Sequence, residues 1–253
     1  MPVRTDPTTL RQIIRPLLAV RKVNECRVAV RSDLIRLQTA SEDKTLYVDY
    51  TLPRSSTKLS IDGETGSCWL YLDRVADFLT VGGREDITIM FPFETVDSTV
   101  LLQSGRLTYR FPPVVAQQPY RLFDTLAKDL VTEFSIQHGA FAESVHVANL
   151  VGGQMQLQLT PETRHIEFSS TSHGDGDAFR YTVPTDSINT VHGASSEFTI
   201  SIDRLRDITP HIPDTSLVSF RLTNNHLVYQ VEYPVPGAQL TMHIAERLND
   251  LRE

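Results

Sequence analysis

The stretch Leu72-Asp73-Arg74-Val75-Ala76-Asp77-Phe78 decides how this chain is interpreted, because it returns as Ile202-Asp203-Arg204-Leu205-Arg206-Asp207-Ile208. A second stretch, Tyr50-Thr51-Leu52-Pro53, returns as Tyr181-Thr182-Val183-Pro184. The two offsets are 130 and 131 residues, and the order is the same. Such a spacing exceeds the roughly 20–50 residue periods of solenoids and propellers. It predicts instead a duplicated domain of ordinary size.

Length and composition predict a globular chain of two domains. The 253 residues are enough for two hydrophobic cores, and 40% apolar with 22% charged residues is an ordinary balance. Apolar runs are too short to cross a bilayer, and the first residues do not resemble a signal peptide. Two cysteines, Cys26 and Cys68, predict packed, reduced thiols and no disulfide framework.

Charge is distributed unevenly along the chain. The net charge of −7 argues against a protein that coats nucleic acid indiscriminately. Between Thr8 and Lys22, however, there are four cations and no acid. This segment predicts one basic helix face, although a solvated basic face with no partner gives the same pattern.

The predicted elements repeat in the two halves. The first helix begins at Thr8 or Thr9 and has an apolar stripe at helical spacing, with Pro16 expected to kink or shorten it. Its counterpart is a helix over residues 139–150. Each half then reads as a strand pair, a strand, a strand followed by a short helix, and a three-strand meander. Few short helices among antiparallel strands favour an α+β class.

Prolines divide the chain near its middle. Residues 112–128 carry Pro112, Pro113 and Pro119, which cannot serve a central strand. We therefore expect an N-terminal domain over 1–111, a connector over 112–128 and a C-terminal domain over 129–253. The alternative is a helical turn built on Leu122, Leu126 and Leu130.

Catalytic and ligand-binding motifs are absent from the sequence. It has no phosphate-binding loop, dinucleotide fingerprint, zinc spacing or nucleophile elbow. Asp175 and Asp177 lie in a glycine-rich loop, but it lacks the downstream glutamate of a calcium-binding EF-hand, which favours a solvated turn. We expect no enzymatic activity, no metal and no cofactor.

Taken together, these patterns resemble the DNA sliding clamp family, in particular its proliferating cell nuclear antigen branch. The resemblance covers roughly residues 8–247. Its carriers are Leu37-Gln38-Thr39-Ala40, then Tyr47-Val48-Asp49-Tyr50-Thr51-Leu52, the strand-helix of 70–79, and residues 240–245. It implies a duplicated two-domain fold with antiparallel sheets outside and four short helices facing a central channel. Three subunits would close head to tail into a ring.

Within such a ring, cations on the helices would face the DNA phosphates without reading bases. The candidates implied by the resemblance are Arg11, Arg15, Arg21, Lys22, Arg74, Arg204 and Arg206. The third helix departs from the family pattern, since it offers Glu143 and His146 instead of cations.

The resemblance also implies a pocket under the connector that receives short peptides from polymerases, ligases and nucleases. The matching positions are Ala40, Tyr47, Tyr120, Leu122, Phe123, Leu227, His243 and Ala245; ordinary core packing is the alternative for each. The chain departs from the family's usual Ala-Pro-Lys ending, because Glu246 follows Ala245, and this predicts an altered peptide preference.

Ring closure is expected to pair the edge strand 107–111 of one subunit with 179–183 of the next, since a bare edge strand favours aggregation. The interface candidates are Leu107, Tyr109, Phe111, Phe179 and Tyr181.

The function implied is that of a homotrimeric processivity factor that encircles duplex DNA and docks polymerase, clamp loader and repair enzymes. It would work in the cytoplasm of a prokaryote or virus-infected cell, or in a eukaryotic nucleus, and not at a membrane. Two alternatives keep the fold: one subunit of a heterotrimeric checkpoint-type clamp, or a monomeric viral processivity subunit. A third is a two-domain enzyme or ligand-binding protein with an interdomain cleft.

Overall fold

A computed structural model describes most of the chain. The described residues are 2–20, 25–41, 43, 45–54, 59–61, 65–82, 85–93, 99–114, 130–172, 176–203, 205–223 and 226–246. Most of the predicted connector therefore lies outside the described residues. Val114, near its start, donates its backbone N–H to the carbonyl oxygen of Trp69 at 2.9 Å.

The first half of the chain contains two helices and nine strands among its described residues. The helices are α1 (Pro7–Leu18) and α2 (Leu72–Gly82). The strands are β1 (Pro2–Thr5), β2 (Glu25–Val30), β3 (Leu34–Ala40), β4 (Leu46–Pro53), β5 (Leu59–Ile61), β6 (Gly66–Tyr71), β7 (Ile87–Met90), β8 (Val100–Ser104) and β9 (Leu107–Phe111).

The described part of the second half repeats this series. The helices are α3 (His138–Val151) and α4 (Leu205–Ile208), and 3-10 turns lie at 161–163, 185–187 and 209–211. The strands are β10 (Leu130–Gln137), β11 (Gln154–Thr160), β12 (His165–Thr171), β13 (Ala178–Thr182), β14 (Ile188–Gly193), β15 (Ser196–Ser201), β16 (Leu217–Thr223), β17 (His226–Glu232) and β18 (Gln239–Ala245).

Strand order confirms the duplication predicted from the sequence. The order β5-β1-β7-β8-β9 in the first half has its counterpart in β14-β10-β16-β17-β18. The order β4-β3-β2-β6 likewise corresponds to β13-β12-β11-β15. The strand pairs whose register is defined are all antiparallel. The predicted α+β class is therefore confirmed.

The chain forms two compact units. One consists of residues 1–120 with 232–240, and the other of residues 121–231 with 241–253. In the first unit the apolar stripe of α1 is buried as predicted, with Leu10, Ile13, Ile14 and Leu17 at most 7% exposed. The second unit has an aromatic core in which Phe134 stacks on Phe220 at 4.6 Å between ring centroids.

Four strands of the described residues were not predicted: β1, β5, β10 and β14. They are two equivalent pairs, and each pair extends a predicted three-strand meander to five strands. Leu130, assigned to a possible helical turn, instead begins β10.

The start of α1 also differs from the sequence prediction. Asp6 caps the helix, not Thr8 or Thr9. Its Oδ1 accepts a hydrogen bond from the backbone N–H of Thr9 at 2.9 Å. A carboxylate at this position satisfies an otherwise unpaired N–H and favours the positive end of the helix dipole. Pro16 does not break the helix early, because α1 continues to Leu18.

The two cysteines behave as the composition predicts. Cys26 on β2 and Cys68 on β6 are both free thiols and both buried. Burial raises the pKa of each thiol to about 12, because a thiolate would lose its hydration.

Candidate functional site

Two cations of the first helix have different surroundings. Arg15 is exposed, whereas Arg11 is half-buried and donates from Nη2 to the carbonyl oxygen of Leu79 at 2.8 Å. Leu79 lies in the last turn of α2, where backbone carbonyls lack partners within the helix. Arg11 thus ties α1 to the negative end of α2, and Arg15 remains available to solvent or to an anion.

Arg74, on α2, is exposed but is directed toward a strand. Its Nη1 donates to the hydroxyl of Tyr109 on β9 at 3.3 Å. This hydrogen bond is the main cause that raises the pKa of Arg74. The resemblance implies that Arg74 faces DNA and that Tyr109 lies at the subunit contact; the structure brings these two residues together.

In the second unit the only described cation of the predicted DNA-facing set is Arg206. Its Nη1 donates to Oδ1 of Asn149 on α3 at 3.0 Å, and its Nε lies 3.6 Å from Oδ1 of Asp207. On α3, Glu143 and His146 are both exposed. Arg21, Lys22 and Arg204 lie outside the described residues.

The predicted peptide pocket is described in part. In the first unit, Ala40 on β3 pairs with Tyr47 on β4, and each is 3% exposed. Beside them on the same sheet face, Arg36 forms a two-pronged ion pair with Asp49, with Nε 2.9 Å from Oδ1. The side chains of Ala40, Tyr47 and Asp49 are therefore buried on this face of the sheet.

The remaining pocket positions lie in the second unit or outside the described residues. Leu227 on β17 is fully buried. His243 and Ala245 are half-buried on β18, where they alternate with buried Met242 and Ile244. Their alternation assigns them to one face of that strand. Tyr120, Leu122 and Phe123 lie outside the described residues.

The predicted subunit-contact strands are both at sheet edges. β9 ends one strand order and β13 ends another. On β9, Leu107 is 44% exposed, Tyr109 is half-buried and Phe111 is buried. On β13, Phe179 and Tyr181 are half-buried. Within the described part of the chain, each strand therefore has one side with no neighbouring strand, and each carries partly exposed aromatic side chains.

A groove of about 320 Å³ lies between α2 and β9. Its lining is Asp77, Phe78, Val81, Leu107, Thr108 and Tyr109. Val81 is 75% exposed, which is unusual for an apolar side chain beside other apolar groups. Phe78 and Tyr109 stack with ring centroids 6.4 Å apart. The sequence prediction missed Phe78 and Val81, although both lie on the α2 face that carries Arg74.

Gly82 explains how α2 comes so close to β9. A Cβ at this position would meet Phe78 Cζ at 3.2 Å and Leu107 Cδ1 at 3.3 Å. These contacts are tighter than normal packing, so a larger residue would push the helix end away from the strand.

No group of three or more histidine, cysteine, aspartate or glutamate side chains within the described residues is arranged to hold a metal. In the glycine-rich loop, the backbone N–H of Asp177 donates to Ser172 Oγ at 3.2 Å, and Asp175 lies outside the described residues. No helix in the described part of the chain is long and apolar enough to span a membrane.

Several archaeal proteins have solved structures with the same architecture. The PCNA of Thermococcus kodakaraensis has a TM-score of 0.79, with 17% identity, 97% of this chain and 99% of that chain covered. PCNA of A. fulgidus, solved with the C-terminal region of FEN-1, has a TM-score of 0.81, with 16% identity and 98% of each chain covered. The chain has the fold of the DNA sliding clamps.

Other comparisons agree with the sliding-clamp fold. A PCNA2–PCNA3 complex from Sulfolobus tokodaii has a TM-score of 0.77 at 15% identity, with 98% of this chain and 99% of that chain covered. In sequence, the chain is 21% identical to the DNA polymerase sliding clamp of Methanocorpusculum labreanum over 206 residues. The aligned region covers 81% of this chain and 82% of the relative. No protein-family model matches. The resemblance predicted from the sequence is confirmed.

Proposed function

We propose that this chain is a subunit of a ring-shaped DNA sliding clamp, which holds polymerase and other replication and repair enzymes on duplex DNA. The observation that carries the proposal is the duplicated strand order of this chain. The chain matches clamp structures over nearly their full length. Its role would be binding and tethering, with no catalytic step, in whichever compartment holds the DNA. We also propose that residues 112–128 connect an N-terminal domain over 1–111 to a C-terminal domain over 129–253.

The two free sheet edges support closure by copies of one chain. β9 and β13 belong to different halves, so pairing β9 of one copy with β13 of the next is a head-to-tail contact. Such heterologous contacts close into a ring when the rotation between copies permits. Backbone hydrogen bonds along the joined strands and the groove beside β9 would supply the binding energy.

Partner binding is proposed from two relatives. A. fulgidus PCNA was solved with the C-terminal region of FEN-1, and the M. labreanum relative is a DNA polymerase sliding clamp. We infer that this chain also receives peptide segments of replication enzymes. The positions proposed are those implied by the resemblance; of these, His243 and Ala245 are half-buried on β18.

The assembly is tested by measuring the mass of the purified chain by sedimentation equilibrium across a concentration series. A trimer is expected at micromolar concentration without DNA. A chain that stays monomeric throughout, alone and with DNA, contradicts the homotrimer. Assembly that appears only with other clamp subunits would identify a heterotrimeric clamp.

The DNA contact is tested with Arg15→Glu, since Arg15 is exposed and Arg11 also has a structural hydrogen bond. We expect shorter polymerase products in a clamp-dependent extension assay, because phosphate attraction depends on positive charge. Arg4→Glu, an exposed cation on β1, is the matched control. If Arg15→Glu and Arg4→Glu both match the wild type, then Arg15 does not face DNA.

A further inference from the structure

The β9 edge carries a positive charge held in place by an aromatic residue. Arg74 donates to the hydroxyl of Tyr109, and Tyr109 stacks between Phe78 and Phe111, with ring centroids 6.4 and 5.5 Å away. The guanidinium is exposed, so it can take a further partner. Asp73 and Asp77 on the same helix also act on it electrostatically, but neither forms an ion pair with it within 4 Å among the described contacts.

The β13 edge has a similar arrangement with the opposite charge. Helix α3 packs beside β13, and it carries Glu143 at an exposed position. Tyr181 of β13 lies close enough to Glu143 for the carboxylate to act on it: burial first, and then this negative charge, raise the pKa of the Tyr181 hydroxyl. At each edge, a tyrosine of the strand therefore interacts with a charged residue of a neighbouring helix: Tyr109 with Arg74, and Tyr181 with Glu143.

The two arrangements differ in what they allow at a contact between copies. If two β9 edges met with Arg74 near Arg74, or two β13 edges with Glu143 near Glu143, like charges would face each other. Like charges brought together at an interface are strongly unfavourable. For Arg74 and Glu143, only β9 against β13 brings opposite charges together; Arg110 on β9 and Arg180 on β13 are further exposed cations at these edges. Excluding the wrong pairing by repulsion is a common source of specificity.

We propose that Arg74 of one copy forms an ion pair with Glu143 of the next copy, beside the joined tyrosines, and that this pair makes the assembly head-to-tail. The inference rests on the proposed function, since it needs β9 to meet β13. It moves Arg74 from the DNA-facing set to the contact between copies. It also gives a role to Glu143, which departs from the cationic pattern expected on α3.

The test is a charge swap measured by sedimentation equilibrium. Arg74→Glu and Glu143→Arg should each raise the dissociation constant of the assembly by about tenfold or more, because each creates a like-charge contact in every joint. The double variant Arg74→Glu with Glu143→Arg restores opposite charges and should return to within about threefold of the wild type. The dissociation constant of the double variant would not return toward the wild-type value if the two side chains acted only on the folding of their own subunit.

Two controls make the result specific. Arg4→Glu makes the same charge change on β1, which is separated from β9 by β7 and β8, and should leave the dissociation constant unchanged. Arg74→Lys keeps the charge and should retain most of the assembly. Thermal unfolding of each variant at low concentration verifies that the subunit itself is folded.

The outcomes separate this inference from the proposed function. A wild-type chain that never assembles overturns both. A wild-type trimer whose single variants assemble normally, or whose double variant is no better than the singles, overturns the ion pair and leaves the clamp assignment standing.

Discussion

His138 is a buried residue whose two ring nitrogens join three elements of the second unit. At the first position of α3 it is fully buried, with Nε2 3.0 Å from the carbonyl oxygen of Thr209 and Nδ1 2.9 Å from the hydroxyl of Tyr229. A carbonyl oxygen can only accept, so Nε2 carries the hydrogen and Nδ1 accepts from the tyrosine. The neutral ring therefore satisfies both partners, whereas a second proton on Nδ1 would leave the hydroxyl hydrogen of Tyr229 without this acceptor and would bury a charge.

Acid should weaken the fold through His138. Burial lowers its pKa below the ordinary 6.5, while the hydrogen bond to Thr209 and then the charge of Asp214 act in the opposite direction to a lesser degree. The unfolded chain then takes up the proton first, so stability is present above pH 6.5 and falls as the pH drops below it. His226, whose pKa burial also lowers, contributes in the same sense.

We expect His138→Gln to lower the free energy of unfolding by about 1–3 kcal/mol at pH 7.5, because buried hydrogen bonds are lost. The difference from wild type should shrink as the pH falls below about 6.5, since the glutamine cannot titrate. Urea unfolding at each pH measures it. His146→Gln, at an exposed position on α3, should follow the wild-type curve; a constant gap for His138→Gln would show that its titration does not affect stability.

At the residue scale, the sequence identified the right side chains more readily than their partners. The apolar spacing of Leu10, Ile13, Ile14 and Leu17 predicts the buried face of α1 because helical periodicity is local. The bond from Arg74 to Tyr109 joins residues 35 positions apart. No local pattern contains such a pair, so Arg74 was assigned from its helix alone.

At the scale of elements, α1 and α2 are joined by a hydrogen bond that also concerns the DNA-facing hypothesis. Arg11 reaches across to the carbonyl of Leu79, while Arg15, one turn along α1, is exposed. The two arginines should therefore separate experimentally into a structural and a surface role.

Arg11→Ala should reduce the free energy of unfolding by about 1.5–3 kcal/mol, the range for a hydrogen bond to a charged group. Arg15→Ala should stay within about 0.5 kcal/mol of the wild type, as for other exposed substitutions. Chemical denaturation of both variants at the same pH is the measurement. Equal stability of the two variants would mean that the contact with Leu79 contributes nothing.

Strands were predicted well where turns or alternation mark them and poorly elsewhere. The bounds of β9 agree with the sequence prediction, since a turn precedes this strand. β1 and β5 are four and three residues long, which is too short to show the alternation of apolar and polar residues that predicts a strand. In β10 the polar residues Thr132 and Ser135 are buried along with Phe134 and Ile136, which hides the alternation. The burial of such polar residues can be predicted only once their hydrogen-bond partners are known. For Thr132, Oγ1 lies 2.7 Å from Oγ of Ser196.

At the scale of the whole molecule, assembly should depend on the groove between α2 and β9. Val81→Asp places a charge among Phe78, Leu107 and Tyr109, where a contact between copies would have to desolvate it. We expect the trimer to dissociate at concentrations where the wild type is assembled, as measured by light scattering after size exclusion.

A matched control is Leu217→Asp, which puts the same charge on another exposed apolar residue, 52% exposed at the start of β16. It should leave the assembly unchanged, and neither variant should lower the unfolding temperature of the monomer by much. A Val81→Asp chain that remains trimeric would place the contact somewhere other than this groove.

Both cysteine thiols of the chain are buried. Both native thiols are buried and protonated at neutral pH, so a maleimide added to the folded protein has no native site to modify quickly. A cysteine introduced at Thr108 of β9 or Thr182 of β13 would then be the one fast-reacting group. The wild-type background is thus ready for attaching a dye, a spin label or a tether to either edge, without first removing Cys26 and Cys68.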